Sequence, residues 1–235
     1  MQAVATIHCM IRQKIYFTSL LASLLALSAC APSPLVKALP EGKTQINAYF
    51  GGPLIGYGKD DITIPVPLTA VSLAHGLKNS QSIYSSLYPT ALVYGVIQLD
   101  AGWLQEIHPS KGLTPGLSWS PAIHGMLDVW QWQPRLYPSL DINAFWTGFN
   151  GKLFSYTGIS NWFELQQSRA HSEKQPHHWI PALHAGNRWR QNAWEHGVEF
   201  KWLAPFSSNR NIVVDYKTPT TTGALGIYVS TSYRF

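Results

Sequence analysis

From about residue 43 to the end, apolar and polar residues alternate in short runs, and no stretch keeps a helical period. The last eleven residues show this best. Phe235, Tyr233, Thr231, Val229, Ile227 and Leu225 share one face, while Arg234, Ser232, Ser230, Tyr228 and Gly226 share the other. A period of two over that length is an extended strand with one apolar and one polar side. In 194–203, Trp194, His196, Val198, Phe200 and Trp202 oppose Glu195, Gly197, Glu199 and Lys201. In 179–190, Trp179, Leu183, Ala185 and Trp189 oppose His184, Gly186, Arg188 and Arg190. Farther back, Leu140, Ile142, Ala144 and Trp146 oppose Ser139, Asp141 and Asn143. Leu117, Trp119, Ile123 and Leu127 oppose Ser118, Ser120, His124 and Asp128, and Ile97, Leu99 and Trp103 oppose Gln98 and Asp100.

The pattern predicts an all-β fold, an up-and-down antiparallel transmembrane β-barrel of ten strands. They fall near 44–55, 62–77, 82–103, 116–130, 135–149, 152–166, 178–190, 193–203, 211–217 and 222–235. Eight is the alternative count, if 44–55 or 211–217 does not span. Pro65, Pro67, Pro89, Pro121, Pro138 and Pro181 count against these strands, because each removes a ladder donor.

One spacing favours a membrane. Trp179 and Trp189 lie ten residues apart on the same apolar face. Ten steps of ~3.3 Å, tilted by about 40°, cover roughly 25 Å, the height of a barrel's apolar band. Trp103, Trp130, Trp146, Trp179, Trp189, Trp194, Trp202, Tyr233 and Phe235 are the expected aromatic girdles. Composition agrees: charged residues make up 12% of the chain, against ~25% in ordinary soluble domains, and aromatics 13%. After residue 30 no apolar run is long enough for a membrane helix.

The amino-terminal end carries a second signal. Arg12 and Lys14 precede an apolar run from Ile15 to Leu27, which closes on Leu27-Ser28-Ala29-Cys30. The run is shorter than the ~20 residues that span a bilayer. It resembles a lipoprotein signal, with cleavage before Cys30 and acylation of its thiol, and translation from either Met1 or Met10 fits. The expected division is 1–29 signal, 30–42 lipidated tether and 43–235 barrel. Cys9 leaves with the signal, so no disulfide is expected. Loss of Arg12 and Lys14 leaves 15 Lys+Arg against 12 Asp+Glu, too small an excess to suggest nucleic acid.

Signal, tether, alternating strands and terminal Phe235 together resemble small outer-membrane β-barrel lipoproteins over essentially the whole chain. Tyr88-Pro89-Thr90-Ala91-Leu92 and Asn161-Trp162-Phe163-Glu164-Leu165 look like segments of uncharacterised members. The resemblance implies a bacterial outer-membrane location with a lipid anchor at Cys30. It also implies contact with outer-membrane lipids, and with the barrel assembly machinery through the last strand. It assigns no catalytic residue, no cofactor and no metal.

The polar faces supply a lumenal network of Asp100, His124, Asp128, Asp141, Asn143, His184, Arg188, Arg190, Glu195, Glu199, Lys201, Asp215, Lys217 and Arg234. Arg188 and Arg190 should meet Glu195 and Glu199 across a hairpin. Paired charges filling a narrow interior account for this set without a ligand. His108-Pro109-Ser110 has the His-x-Ser spacing of lipid A deacylases, but lies in a Pro/Gly-rich loop with no third member in view. His171, His177 and His178 form a loop cluster with Glu173 the only nearby carboxylate, weak grounds for a metal site. The leading expectation is a structural or accessory envelope protein. A lipid-modifying enzyme and a narrow solute pore are the competitors, and a soluble lipocalin-like binder ranks last.

Overall fold

A computed structural model describes residues 32–57, 62–167, 174–175, 177–208, 216–218 and 220–235. The strands are β1 (Thr44–Tyr57), β2 (Ile62–Pro65), β3 (Leu68–Leu77), β4 (Gln81–Leu87), β5 (Val96–His108), β6 (Gly116–Asp128), β7 (Gln133–Gly148), β8 (Leu153–Phe163), β9 (Trp179–Gln191), β10 (Trp194–Ser208) and β11 (Thr222–Arg234). Every wall strand pairs antiparallel with its neighbours, and β1 pairs with β11 from Gln45↔Arg234 to Pro53↔Gly226. The sheet therefore closes on itself as a ten-stranded barrel. β2 pairs only with the far part of β1 and stands outside the ring. Thr44 and Phe235 exchange backbone hydrogen bonds of 3.0 and 2.9 Å, so the barrel's two chain ends meet at one rim.

The count of ten agrees with the sequence pattern, but its membership differs. The expected strand 82–103 is two strands, β4 and β5, separated by helix α1 (Pro89–Val93). Pro89 starts the helix, where its missing N–H costs nothing, and Gly95 at φ 74° turns the chain back. No strand stands between β10 and β11, which pair directly through Leu203↔Ala224, at the place of the expected strand 211–217. Residues 211–215 lie outside the described residues, and Tyr216 makes a single bridge to Ile55. The expected strand 62–77 divides into β2 and β3. Pro121 does sit inside β6: the β5–β6 ladder is interrupted between Gly102↔Ala122 and Gln105↔Trp119, where a proline has no N–H to offer.

Connections at the rim carrying Thr44 and Phe235, the proximal rim, are 78–80, 109–115, 149–152 and 192–193. Asn79, Ser80 and Asn192 take positive φ in these tight turns. The distal rim carries the long connections 164–178 and 209–221, along with α1. Around the wall, outward side chains are apolar and exposed: Leu73 is 53% exposed and Phe200 51%. Inward side chains are largely polar and buried: Arg188 is 4% exposed and Lys201 2%. This is a soluble β-protein turned inside out. No helix among the described residues is long and apolar enough to cross a membrane.

Candidate functional site

The lumen is not empty. Residues 32–40, part of the segment expected to be a tether, run through it and are held by the wall. The Ser33 N–H donates to both oxygens of Glu199, at 3.1 and 3.2 Å, and Arg188 Nη2 donates to the Ser33 carbonyl at 2.8 Å. Tyr49 Oη donates to the Pro34 carbonyl (2.7 Å), Ser118 Oγ to the Val36 carbonyl (2.6 Å), and the Leu39 N–H to Ser82 Oγ (2.9 Å). An extended segment with no strand partner must satisfy its peptide groups somewhere, and here inward side chains of β1, β4, β6, β9 and β10 do so.

The segment's apolar residues supply the remainder. Leu35 and Leu39 pack with Ala74, Tyr84, Leu104 and Ala122, while Val36 packs with Phe145 and Tyr156. Room for them comes from small inward residues such as Ser72, Ala74, Ser82, Ser118 and Ser120. Gly76 marks the tightest approach, since a Cβ there would lie 2.1 Å from the Pro40 carbonyl oxygen. The segment is thus a plug that leaves the lumen at the proximal rim and turns into β1.

Two polar clusters flank it. In the proximal one, Arg190 Nη2 pairs with Glu195 at 2.7 Å, and Arg188 and Arg234 stand 3.8 and 4.0 Å from the same carboxylate. Arg234 also donates to Gln45 Oε1, at 2.8 and 3.2 Å. Sequence reasoning anticipated the meeting of Arg188, Arg190 and Glu195; Glu199 instead holds Ser33 and accepts from Tyr156 Oη at 2.8 Å. Lys201 and His184 are buried farther along, with His184 Nε2 2.7 Å from Asn143 Oδ1. Asp141 is buried on the same inner face.

In the distal cluster, Tyr88 Oη donates to Asp100 Oδ2, and His124 Nδ1 faces the same oxygen at 3.6 Å. His124 Nε2 lies 2.8 Å from Ser139 Oγ, and its ring stacks on Trp162 with centroids 3.8 Å apart. Ser139, His124 and Asp100 thus lie in a row, all buried, but His124 Nδ1 has no hydrogen-bond partner among the described residues. The nearby cavity, about 50 Å³ and lined by Tyr88, Gln98, Met126 and Pro32 among others, does not reach Ser139. Asp128 caps the 129–132 turn by accepting from the N–H groups of Trp130 and Gln131.

The aromatic residues fall as follows. Trp189, Trp194, Tyr233 and Phe235 gather at the proximal rim, with Trp194 and Tyr233 edge-on at 5.0 Å and Tyr233 and Phe235 at 6.3 Å. Trp146 hydrogen-bonds the Leu113 carbonyl at that rim. Trp103 packs edge-on against Trp119 at 5.4 Å on the outer wall. Trp179 and Trp130 lie at the distal rim, and Trp202 bonds the Thr222 carbonyl. His108 is exposed at the end of β5, and Ser110 Oγ accepts the Thr147 N–H at 3.2 Å. His178 Nδ1 sits 2.9 Å from the Glu164 carbonyl oxygen, and no metal-binding group of three His, Cys, Asp or Glu occurs among the described residues. Cys30, Asp215, His171 and Glu173 lie outside the described residues.

The sequence reading missed the plug and the residues that grip it: Tyr49, Ser82 and Ser118. Two signals pointed there, the apolar Leu35, Val36 and Leu39 in a supposed tether, and lumenal faces too small to fill the space they enclose.

Wall, closure and apolar exterior define a transmembrane β-barrel of the bacterial outer-membrane type. No protein-family model and no curated protein matches the chain. Among solved structures it is similar to the translocator domain of autotransporter NalP from Neisseria meningitidis, at 9% identity and TM-score 0.45, covering 100% of this chain and 98% of that one. It is also similar to the Yersinia pestis outer membrane protein Ail, at 10% identity and TM-score 0.36, covering 83% of this chain and 100% of that one. The N-terminal β-barrel domain of Pseudomonas aeruginosa OprF matches at 10% identity and TM-score 0.34, covering 83% and 98%. These are likenesses of fold, and no residue role is carried over from them.

Proposed function

We propose that this chain is a closed outer-membrane barrel with a structural or accessory envelope role, meeting lipid or another membrane protein through its wall and rims. The observation that carries the proposal is the plug: five inward side chains bind the backbone of residues 33–39 along the lumen. An open solute pathway has no use for such an occupant. The proximal rim, with its short turns and both barrel ends, is the periplasmic side, as in bacterial barrels generally. In planar bilayers the intact protein is expected to give no steady conductance, and an open channel in the intact protein would overturn the proposal.

Lipid anchoring at Cys30 belongs to the same proposal. Labelling cells with an alkynyl fatty acid, with and without Cys30→Ala, tests the anchor. Label that survives the substitution argues against it.

The distal Ser139, His124 and Asp100 favour one second reading, hydrolysis at the distal rim. A serine-reactive fluorophosphonate that labels the folded barrel, and fails on Ser139→Ala, would support it. An unlabelled barrel would assign the triad to packing.

A further inference from the structure

We propose that the proximal mouth of the lumen is a binding site for a phosphate group. A cavity of about 110 Å³ opens there between plug and wall, and its lining carries Lys37, Arg188, Arg190 and Arg234 against the single carboxylate of Glu195, with Gln45 beside them. The other partners of these cations are neutral: Arg234 donates to Gln45, Arg188 to the Ser33 carbonyl, and Arg188 and Lys37 lie over the Tyr156 and Phe145 rings. Arg190 takes Glu195 at hydrogen-bonding distance, while Arg188 and Arg234 stay at 3.8 and 4.0 Å, too long for a hydrogen bond. Arg188 is buried, and its Nε has no hydrogen-bond partner among the described residues. A buried guanidinium donor left unmatched costs free energy that an incoming oxyanion recovers.

Two further carboxylates lie within electrostatic reach and offset part of this charge, Glu199 at Arg188 and Glu106 at Lys37. Glu199 accepts from the Ser33 N–H and Tyr156 Oη, and Glu106 faces Lys37 and the Ala38 backbone. Neither lines the cavity. Converging guanidinium forks with a nearby ammonium suit a tetrahedral dianion, which offers more acceptor oxygens than a carboxylate. The cavity is large enough for one such group. The phosphate is then either free or the terminal group of a lipid whose remainder stays at the rim.

The test uses the full chain purified in detergent and follows the temperature at which its heat-modifiable gel mobility is lost. One arm adds inorganic phosphate, a second a short-chain phosphatidic acid below its micellar concentration, and a third sodium chloride at matched ionic strength. Titration followed by ³¹P line broadening supplies the affinity. Stabilisation by inorganic phosphate assigns a free-phosphate site, and stabilisation by phosphatidic acid alone assigns a lipid phosphate. No stabilisation beyond chloride in either arm overturns the proposal. Arg190→Gln, at the more exposed arginine, is expected to weaken binding about tenfold while the folded mobility persists. Lys37→Gln serves as the second variant should Arg190→Gln fail to fold. Unchanged affinity in a folded variant counts against the site.

Discussion

The outer wall and the lumen obey opposite rules. Wall residues such as Leu73, Phe200, Ile123 and Val229 are apolar and exposed, and their neighbours lie one strand away in a regular register. Lumenal residues are polar and buried, and their partners are remote in sequence: Ser33 reaches Arg188 across 155 residues and Glu199 across 166. The wall needs only a lipid solvent. The lumen offers little solvent, so most of its peptide groups and charges are met by protein partners. The same period of two writes both faces, yet it specifies the wall almost completely and the interior hardly at all.

Substitutions separate the two regimes, and folded-state stability against denaturant in lipid is the readout. The largest expected effect is inside. Glu195→Ala leaves Arg188, Arg190 and Arg234 without their shared carboxylate and should cost about 3–5 kcal/mol. A loss under 1 kcal/mol would mean that water or an anion already compensates there. Next comes the wall: Leu73→Arg places a charge on its lipid face and should cost about 2–4 kcal/mol. A neutral result would show that face to be wet. Ser118→Ala, which strips the Val36 carbonyl of its donor, should cost about 1–3 kcal/mol. No effect would indicate that the plug is not bound along its length.

The sequence made the wall legible because alternation around Trp194, Val198 and Phe200 has the strand period of two. The merged strand 82–103 went wrong because Pro89 removes one donor, and nothing local says whether a chain bends or bulges there. Arg188, Arg190 and Glu195 were foreseeable across a hairpin, since sequence neighbours become spatial neighbours. The grip of Glu199 on Ser33, and of Ser118 on Val36, was not. These contacts exist only after ten strands close and leave a tube wider than their serines and alanines can fill. In that light the apolar residues of the supposed tether are the missing part of the core.

The most direct test of the plugged barrel is labelling of Val36→Cys by a water-soluble maleimide, in a background lacking Cys9 and Cys30. Val36 is fully buried among Phe145 and Tyr156, so the folded protein should resist the reagent and react only after heat unfolding. Labelling of the folded barrel as fast as of the unfolded chain would place the segment outside the lumen and contradict the account.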